Sequence, residues 1–341
     1  ESSSPGYPPF RGADTVHGRS LLIFAAILTT SLRAQGQAPP APQVTVGGLV
    51  YTQYQYTDAP VHTNTFDVTR AYVNVLGRFA NGISTRLTTD IIPSAVTNQA
   101  IRLKYAYVAW TPTGSNLTYK LGMIHTPYVD FEETLWDYRM QGTIAVDRNG
   151  YMTAADIGAG VDGHWKNEQL NGQLVIVNGE GYSGGTGDFR KDLEARVSVR
   201  LQPTNDATRV GGLRVTGYAG IGKATGTGND RNRYLGLLSY KTQQYTLAGE
   251  FVSTKTAAIT GSIISAFGVY HFTSSKVAVI ARVDIVDPDK NVANNKNTRI
   301  IAGASYQLSP NVRLLADVDR LSFESGATAT NQVLFQTQFT F

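Results

Sequence analysis

From about Gln43 to Phe341 the chain alternates apolar and polar residues in short runs. Leu193, Ala195, Val197, Val199 and Leu201 interleave with Glu194, Arg196, Ser198 and Arg200. Val73, Val75, Gly77 and Phe79 back onto Arg70, Tyr72, Asn74 and Arg78, and Leu103, Tyr105, Tyr107 and Ala109 onto Arg102, Lys104 and Ala106. A period of two puts one set on each face of a strand, so every such segment reads as a strand with one apolar and one wet face. Sixteen segments centre on Leu49, Val73, Leu87, Tyr105, Leu121, Val161, Leu174, Val197, Val215, Leu238, Leu247, Phe267, Ala281, Ala304, Ala316 and Phe335. Each is near the ~10 residues that a tilted membrane-spanning strand needs.

The links between these segments alternate in length. Ala80-Asn81-Gly82, Pro112 to Asn116, Lys166-Asn167-Glu168, Thr242-Gln243, Thr273-Ser274-Ser275 and Ser309-Pro310-Asn311 are tight and rich in turn residues, with Pro203 to Gly211 the longest of this set. The intervening links run longer: Asp58 to Thr65, Gly179 to Arg190, Lys223 to Asp230, Pro288 to Asn297 and Glu324 to Asn331. Short turns at one end and long loops at the other are expected of an outer-membrane barrel, whereas a propeller or sandwich has no reason to alternate in this way. One link stands apart: Gly122 to Met152 breaks the alternation, and a loop over about residues 125–156 is expected between strands five and six.

Residues 1–38 differ from the rest. Arg11 and Arg19 precede the apolar run Leu21 to Leu28, and small residues follow to Ala34 and Ala38. This order predicts a secretory signal, with room for an upstream extension before Arg19, and the run falls short of the ~20 residues of a spanning helix. After Gln43 no apolar run would make such a helix, so an exported membrane form of residues 39–341 has to be a closed barrel. The expected fold is therefore all-β: a sixteen-stranded antiparallel transmembrane barrel.

Composition narrows the chemistry. The chain has 34 glycines, 18 tyrosines and 13 phenylalanines but no cysteine, which removes disulfides and thiolate metal sites. Thirty basic and 26 acidic residues give a formal charge of +4, too mixed for a nucleic-acid-binding face. Phe79, Tyr105, Tyr107, Tyr119, Tyr234, Tyr240, Tyr245 and Phe335 share the apolar parity, as an interfacial aromatic girdle would. No phosphate-cradling glycine loop, metal cluster or nucleophile elbow is visible, and no cofactor is expected. His164 shares a face with Asp162, which fits a hydrogen-bonded lumen pair better than a catalytic dyad, and His125 at the loop's root is placed to titrate near neutral pH.

Local charge supplies the candidate site. The long loop is acidic, with Asp130, Glu132, Glu133, Asp137 and Asp147 against Arg139 and Arg148. The wet parity of the strands is basic, above all Arg70, Arg86, Arg102, Lys104, Lys120, Arg196, Arg214 and Arg282. Opposed charges across a narrow, low-dielectric waist would set up a transverse field and tune ion selectivity. The alternative for any one of these arginines is a pair with a lumen acid that stiffens the wall. Two consequences follow for mutation: Val197→Arg should be costly and Ser198→Arg tolerated.

Leu121, Gly122, Pro127, Tyr128 and Glu132, with Arg70-Ala71-Tyr72-Val73 upstream, resemble the phosphate-selective porin O/P family, and the alternating ending Phe335 to Phe341 resembles the carboxy-terminal signal of bacterial outer-membrane proteins. The resemblance implies a passive channel for small hydrophilic solutes and ions, embedded in outer-membrane lipid as a homotrimer, with the loop between strands five and six folded inward as its constriction. It leaves open a phosphate or polyphosphate channel, and a plugged structural or adhesive barrel is the reading from another class. The loop departs from the family in being acidic where a lysine cluster would favour phosphate.

Overall fold

The computed structural model describes residues 41–94, 98–185 and 187–341. The expected signal segment lies outside the described residues. In chain order the elements are β1 (Gln43–Ala59), β2 (Thr63–Arg78), β3 (Ile83–Ser94), β4 (Asn98–Trp110), β5 (Leu117–His125), the helices α1 (Val129–Trp136) and α2 (Ala145–Arg148), then β6 (Ala155–Trp165), β7 (Leu170–Val177) and β8 (Asp192–Gln202). There follow β9 (Gly212–Ile221), β10 (Arg231–Lys241), β11 (Tyr245–Thr256), β12 (Ile259–His271), β13 (Val277–Asp287), β14 (Asn297–Ser309), β15 (Val312–Phe323) and β16 (Thr330–Thr340). Each strand pairs antiparallel with its neighbours in sequence, and β1 closes on β16 with Tyr51 opposite Gln338 and Gln53 opposite Gln336. All sixteen expected segments are strands of this closed barrel.

The two faces differ as the alternation requires. Val197, Leu238, Leu247 and Phe335 stand outward and more than half exposed, while their neighbours Arg196, Ser198, Leu237 and Gln336 are buried inside. Closure leaves no free strand edge, so every backbone group in the wall can be paired, the condition for crossing a bilayer with strands.

The face assignment fails in β4. Thr88 sits opposite Tyr105 but Thr89 opposite Leu103, so Lys104 is an extra residue in a β-bulge. A bulge shifts the period by one, and Tyr105, Tyr107 and Ala109 consequently point inward with Arg102 instead of joining the outer girdle. Tyr105 and Lys104 are both buried, and Tyr105 stacks on His125 at 4.0 Å.

The links at the long-link end are not uniformly long, and the first is tighter than expected. Strands β1 and β2 run on to leave residues 60–62, and β11 and β12 leave 257–258. The long link between β5 and β6 occupies residues 126–154.

This segment is seated on the inner wall by apolar packing. Strands β10 to β15 carry Leu235, Leu237, Val252, Ile263, Phe267, Val269, Ile280, Ile301 and Leu315 on their inward face, where a water-filled barrel would be polar, and all are buried. They form one cluster with Val129, Phe131, Leu135, Trp136, Ile144 and Val146 of the link. Trp136 meets Phe267 edge to face at 5.2 Å. Removing such a side chain from water contributes about 1.5–3 kcal/mol, so a handful suffices to hold the segment inside. Helix α1 ends at Asp137, whose left-handed backbone (φ 52°) lets its N–H return to the carbonyl of Glu133.

Candidate functional site

Polar clamps complete the seating of the 126–154 segment, and they aim at its main chain. Arg196 donates to the carbonyl of Pro127 (2.8 Å), Arg209 to Asp130 (2.9 Å), Arg313 to Asp137 (2.8 Å), Gln336 to Met140 (2.8 Å), Arg282 to Thr143 (2.9 Å) and Arg233 to Tyr151 (3.0 Å). An irregular segment inside a barrel cannot pair its carbonyls in a ladder, and a buried unpaired carbonyl costs free energy comparable to a lost hydrogen bond. Wall guanidinium groups meet that need.

Three residues assigned to the pore wall therefore face no open space. Arg196 lies against the Phe131 ring at 4.2 Å and donates to Asn171 at 2.8 Å. Arg282 pairs with Asp284 at 2.8 Å, both almost wholly buried. Arg214 is fully buried near the turn before β9, where it donates to the carbonyls of Gly211 (2.9 Å) and Glu168. Lys120 pairs with Asp162, which leaves His164 to bond Glu168 at 2.7 Å, so the expected His164–Asp162 pair is absent.

Opposite the seated segment, the inner face of β1 to β4 and β14 to β16 stays polar and open. A cavity of about 730 Å³ at the long-link end is lined by Tyr51, Gln53, Gln55, Arg70, Arg102 and Arg299 of the wall and by Arg139, Gln141, Asp147 and Arg148 of the inner segment. A second, of about 410 Å³ toward the tight-link end, is lined by Tyr51, Tyr72, Asn74, Arg86, Lys104 and Tyr105 and by Asp130, Glu133, Asp137 and Arg139. Tyr51 and Arg139 belong to both.

Charges at these cavities are largely paired. Arg70 and Arg102 both donate to the same oxygen of buried Asp90, at 2.8 and 2.9 Å. Arg139 bonds Glu133 at 2.5 Å and stands 3.9 Å from Asp147. Arg299 holds both oxygens of Asp319, at 2.8 and 2.7 Å. Lys104 donates to the Tyr72 hydroxyl at 3.3 Å. Arg148 reaches Gln141 at 2.9 Å and only approaches Asp319, at 3.6 Å; burial and the nearby Arg282 and Arg299 draw its guanidinium down to about 9.

The loop acids separate into different environments. Asp130 pairs with Arg209 at 2.5 Å; burial would raise its carboxyl, but the charge and hydrogen bond of Arg209, with Lys120 nearby, hold it well below the usual range. Asp137 pairs with Arg313 at 3.2 Å and stays half exposed. Glu132 is the exception to the expected lining, being fully buried and turned to the wall. Burial and then Glu250 push its carboxyl well above the ordinary range, while the Tyr128 hydroxyl donates to Glu250 at 2.5 Å.

His125 differs from expectation too. Arg86 lies 3.0 Å from its Nε2, and a guanidinium can only donate, so that nitrogen carries the lone pair and the ring is neutral. A second proton there would have to displace Arg86.

Sequence reading missed Tyr51, Tyr72, Tyr182 and the amide row Gln53, Gln55, Gln332 and Gln336. For the strand residues the signal was available, since they share the wet parity without carrying charge; Tyr182 lies in the β7–β8 link, where no periodicity marks it. Among the described residues no group of acidic and histidine side chains is placed to hold a metal ion.

No family model and no curated protein matches the chain. Solved structures do. The OmpF porin structure from Salmonella typhi in complex with daunomycin aligns with a TM-score of 0.66 at 13% identity, over 87% of this chain and 97% of that one. An anion-selective porin from Comamonas acidovorans gives 0.66 at 13%, over 88% and 100%. In-vitro-folded OmpT, an outer membrane protein of Vibrio cholerae solved in a trimer form, gives 0.62 at 12%, over 89% and 100%. At such identities the likeness is one of fold, and the chain shares a closed-barrel fold with these outer-membrane proteins.

Proposed function

We propose that this protein is a channel of the bacterial outer membrane through which small hydrophilic solutes and ions diffuse passively. The observation that carries the reading is the pair of polar cavities meeting at Tyr51 and Arg139. The inner segment covers the apolar wall and leaves the polar wall uncovered, which favours a narrowed passage over a plugged barrel. Its role is that of a constriction, with Glu133, Arg139 and Asp147 facing Arg70, Arg86, Arg102 and Lys104 across the waist. The long-link end faces outward and the tight turns face the periplasm.

General permeation is favoured over phosphate selectivity because the lining guanidinium groups mostly have carboxylate partners. A phosphate site would need cations left free to take the ligand's charge. The outward apolar belt supports contact with outer-membrane lipid, and the trimeric state of the Vibrio cholerae protein supports assembly as a homotrimer. No catalytic role is proposed.

Purified, folded protein added to a planar bilayer should produce discrete ohmic steps in a simple salt. Absence of steps from protein that runs as a folded barrel would end this reading. Current saturating with phosphate would move it to the selective alternative.

A further inference from the structure

The link between β7 and β8, residues 178–191, contributes a second inward element. Gly179 and Gly181 take positive φ of 102° and 71°, a turn open mainly to glycine. Their N–H groups both donate to Asp156, at 2.7 and 3.1 Å, and the N–H of Tyr182 donates to the carbonyl of Ala155 at 2.9 Å. This anchorage tips Tyr182 across the outer cavity onto β4.

There Arg102 lies 4.4 Å from the ring centre, its Nη2 donates to the Tyr182 hydroxyl at 2.7 Å, and its Nη1 to the Ser183 hydroxyl at 2.6 Å. The Tyr182 hydroxyl in turn donates to Asp90 at 3.2 Å. Arg70 and Arg102 share the single carboxylate of Asp90, so this trio carries one net positive charge. Asp90 is buried and its other oxygen has no partner. Tyr182 lines the outer cavity beside Arg70 and Arg102, shields part of the Arg102 guanidinium by lying on it, and also packs on the apolar seat of the inner segment.

We propose that Tyr182 is a specificity-determining residue of the passage, a partial cap that lays a neutral aromatic surface over Arg102 and so screens the positive charge that the Arg70–Asp90–Arg102 trio presents to the cavity. The cap narrows the outer cavity and disfavours small anions relative to uncharged polar solutes. This rests on the channel reading above.

Conductance and reversal potential under a salt gradient test it, with the unaltered protein measured first. Tyr182→Ala should raise single-channel conductance and shift the reversal potential toward anions. Tyr182→Phe keeps the ring but frees Arg102 Nη2, so it should shift selectivity with little change in conductance. The chain has no cysteine, so Tyr182→Cys can be modified alone by charged methanethiosulfonate reagents. Anionic and cationic adducts should both reduce current and should move selectivity in opposite directions. Phe189→Cys, in the same link but 85% exposed, should be silent. Should Tyr182→Ala not fold, as judged by heat-modifiable gel mobility, the Phe and Cys variants decide. Unchanged conductance and selectivity in these variants, in a protein that does conduct, would overturn this inference alone. A native protein without conductance would overturn the channel reading and this inference with it.

Discussion

Arg282 on β13 points to the interior, yet its Nη1 ends on the carbonyl oxygen of Thr143 at 2.9 Å. Its Nε bonds Asp284 at 2.8 Å, and the Trp136 ring lies 5.3 Å from the guanidinium. The residue joins the wall to the inner segment between α1 and α2.

Replacing it by Ala should be among the most damaging single changes in the barrel interior. Asp284 would be left buried without its cation, a loss of about 3–5 kcal/mol by the usual measure of broken buried pairs. Thermal unfolding of Arg282→Ala should show a clear fall in midpoint, and channel currents should become noisier as the segment loosens. Adding Asp284→Ala removes the stranded charge and should recover much of the stability but not the quiet current, because Thr143 still lacks its donor.

Glu132 links the seat to pH. Its carboxyl is held well above the ordinary range in the folded chain, by burial and by Glu250 beside it, with Tyr128, Arg282 and Asp284 the other groups close by. A carboxyl raised on folding binds more protons in the folded state, so its contribution is present below the unfolded value of ~4.3 and is lost as pH rises toward the folded value. The unfolding midpoint followed by tryptophan fluorescence should therefore decline from mildly acid to alkaline pH. Glu132→Gln keeps the shape and removes the proton, so its midpoint should vary less over that range. Parallel profiles would show that Glu132 titrates normally.

The contrast between faces can be tested on β8 and β1. Val197 stands outward and 52% exposed, so Val197→Arg should cost roughly 2–4 kcal/mol if it lies near the bilayer midplane. Ser198 is not the harmless control that alternation suggests. It is fully buried and bonds Thr216 at 2.9 Å and Arg214 at 3.4 Å, so a second arginine there should also destabilise the barrel. Gln53 borders the outer cavity, and Gln53→Arg should fold as the native protein does. Refolding yield into detergent or lipid ranks the three.

What the sequence disclosed follows from the range of the interactions involved. A period of two marks each strand, even where a bulge shifts it, because lipid and interior act on each residue separately, so all sixteen segments could be counted. It misled at Lys104 because a bulge is one added residue, and nothing local marks Tyr105 and Tyr107 as turned inward. The roles of Arg196 and Arg282 were hidden for another reason. Their acceptors are backbone carbonyls of Pro127 and Thr143, which lie far away in the chain and have no side-chain signature. Within the inner segment the charges drew attention, whereas Val129, Phe131, Leu135 and Trp136 do the seating and were legible as an apolar cluster.

The same separation decides which acids should govern ion preference. Taking Asp130, Glu132, Glu133 and Asp137 together treats unlike residues alike: Glu132 is buried against the wall, Asp130 answers Arg209 of the β8–β9 link, and Asp137 answers Arg313 of β15. Glu133 and Asp147 instead flank Arg139, the residue shared by both cavities. Neutralising these two as Glu133→Gln with Asp147→Asn uncovers that guanidinium at the place the two cavities share, and on the proposed channel reading selectivity should move toward anions. The shift should shrink as salt rises, since the screening length falls from ~10 Å at 0.1 M to ~3 Å at 1 M. Glu132→Gln should leave the reversal potential where it was, and so should neutralising Glu324 in the β15–β16 link. A reversal potential that responds to Glu132 but not to the Glu133 and Asp147 pair would place the passage on the other side of the inner segment, against β11 and β13.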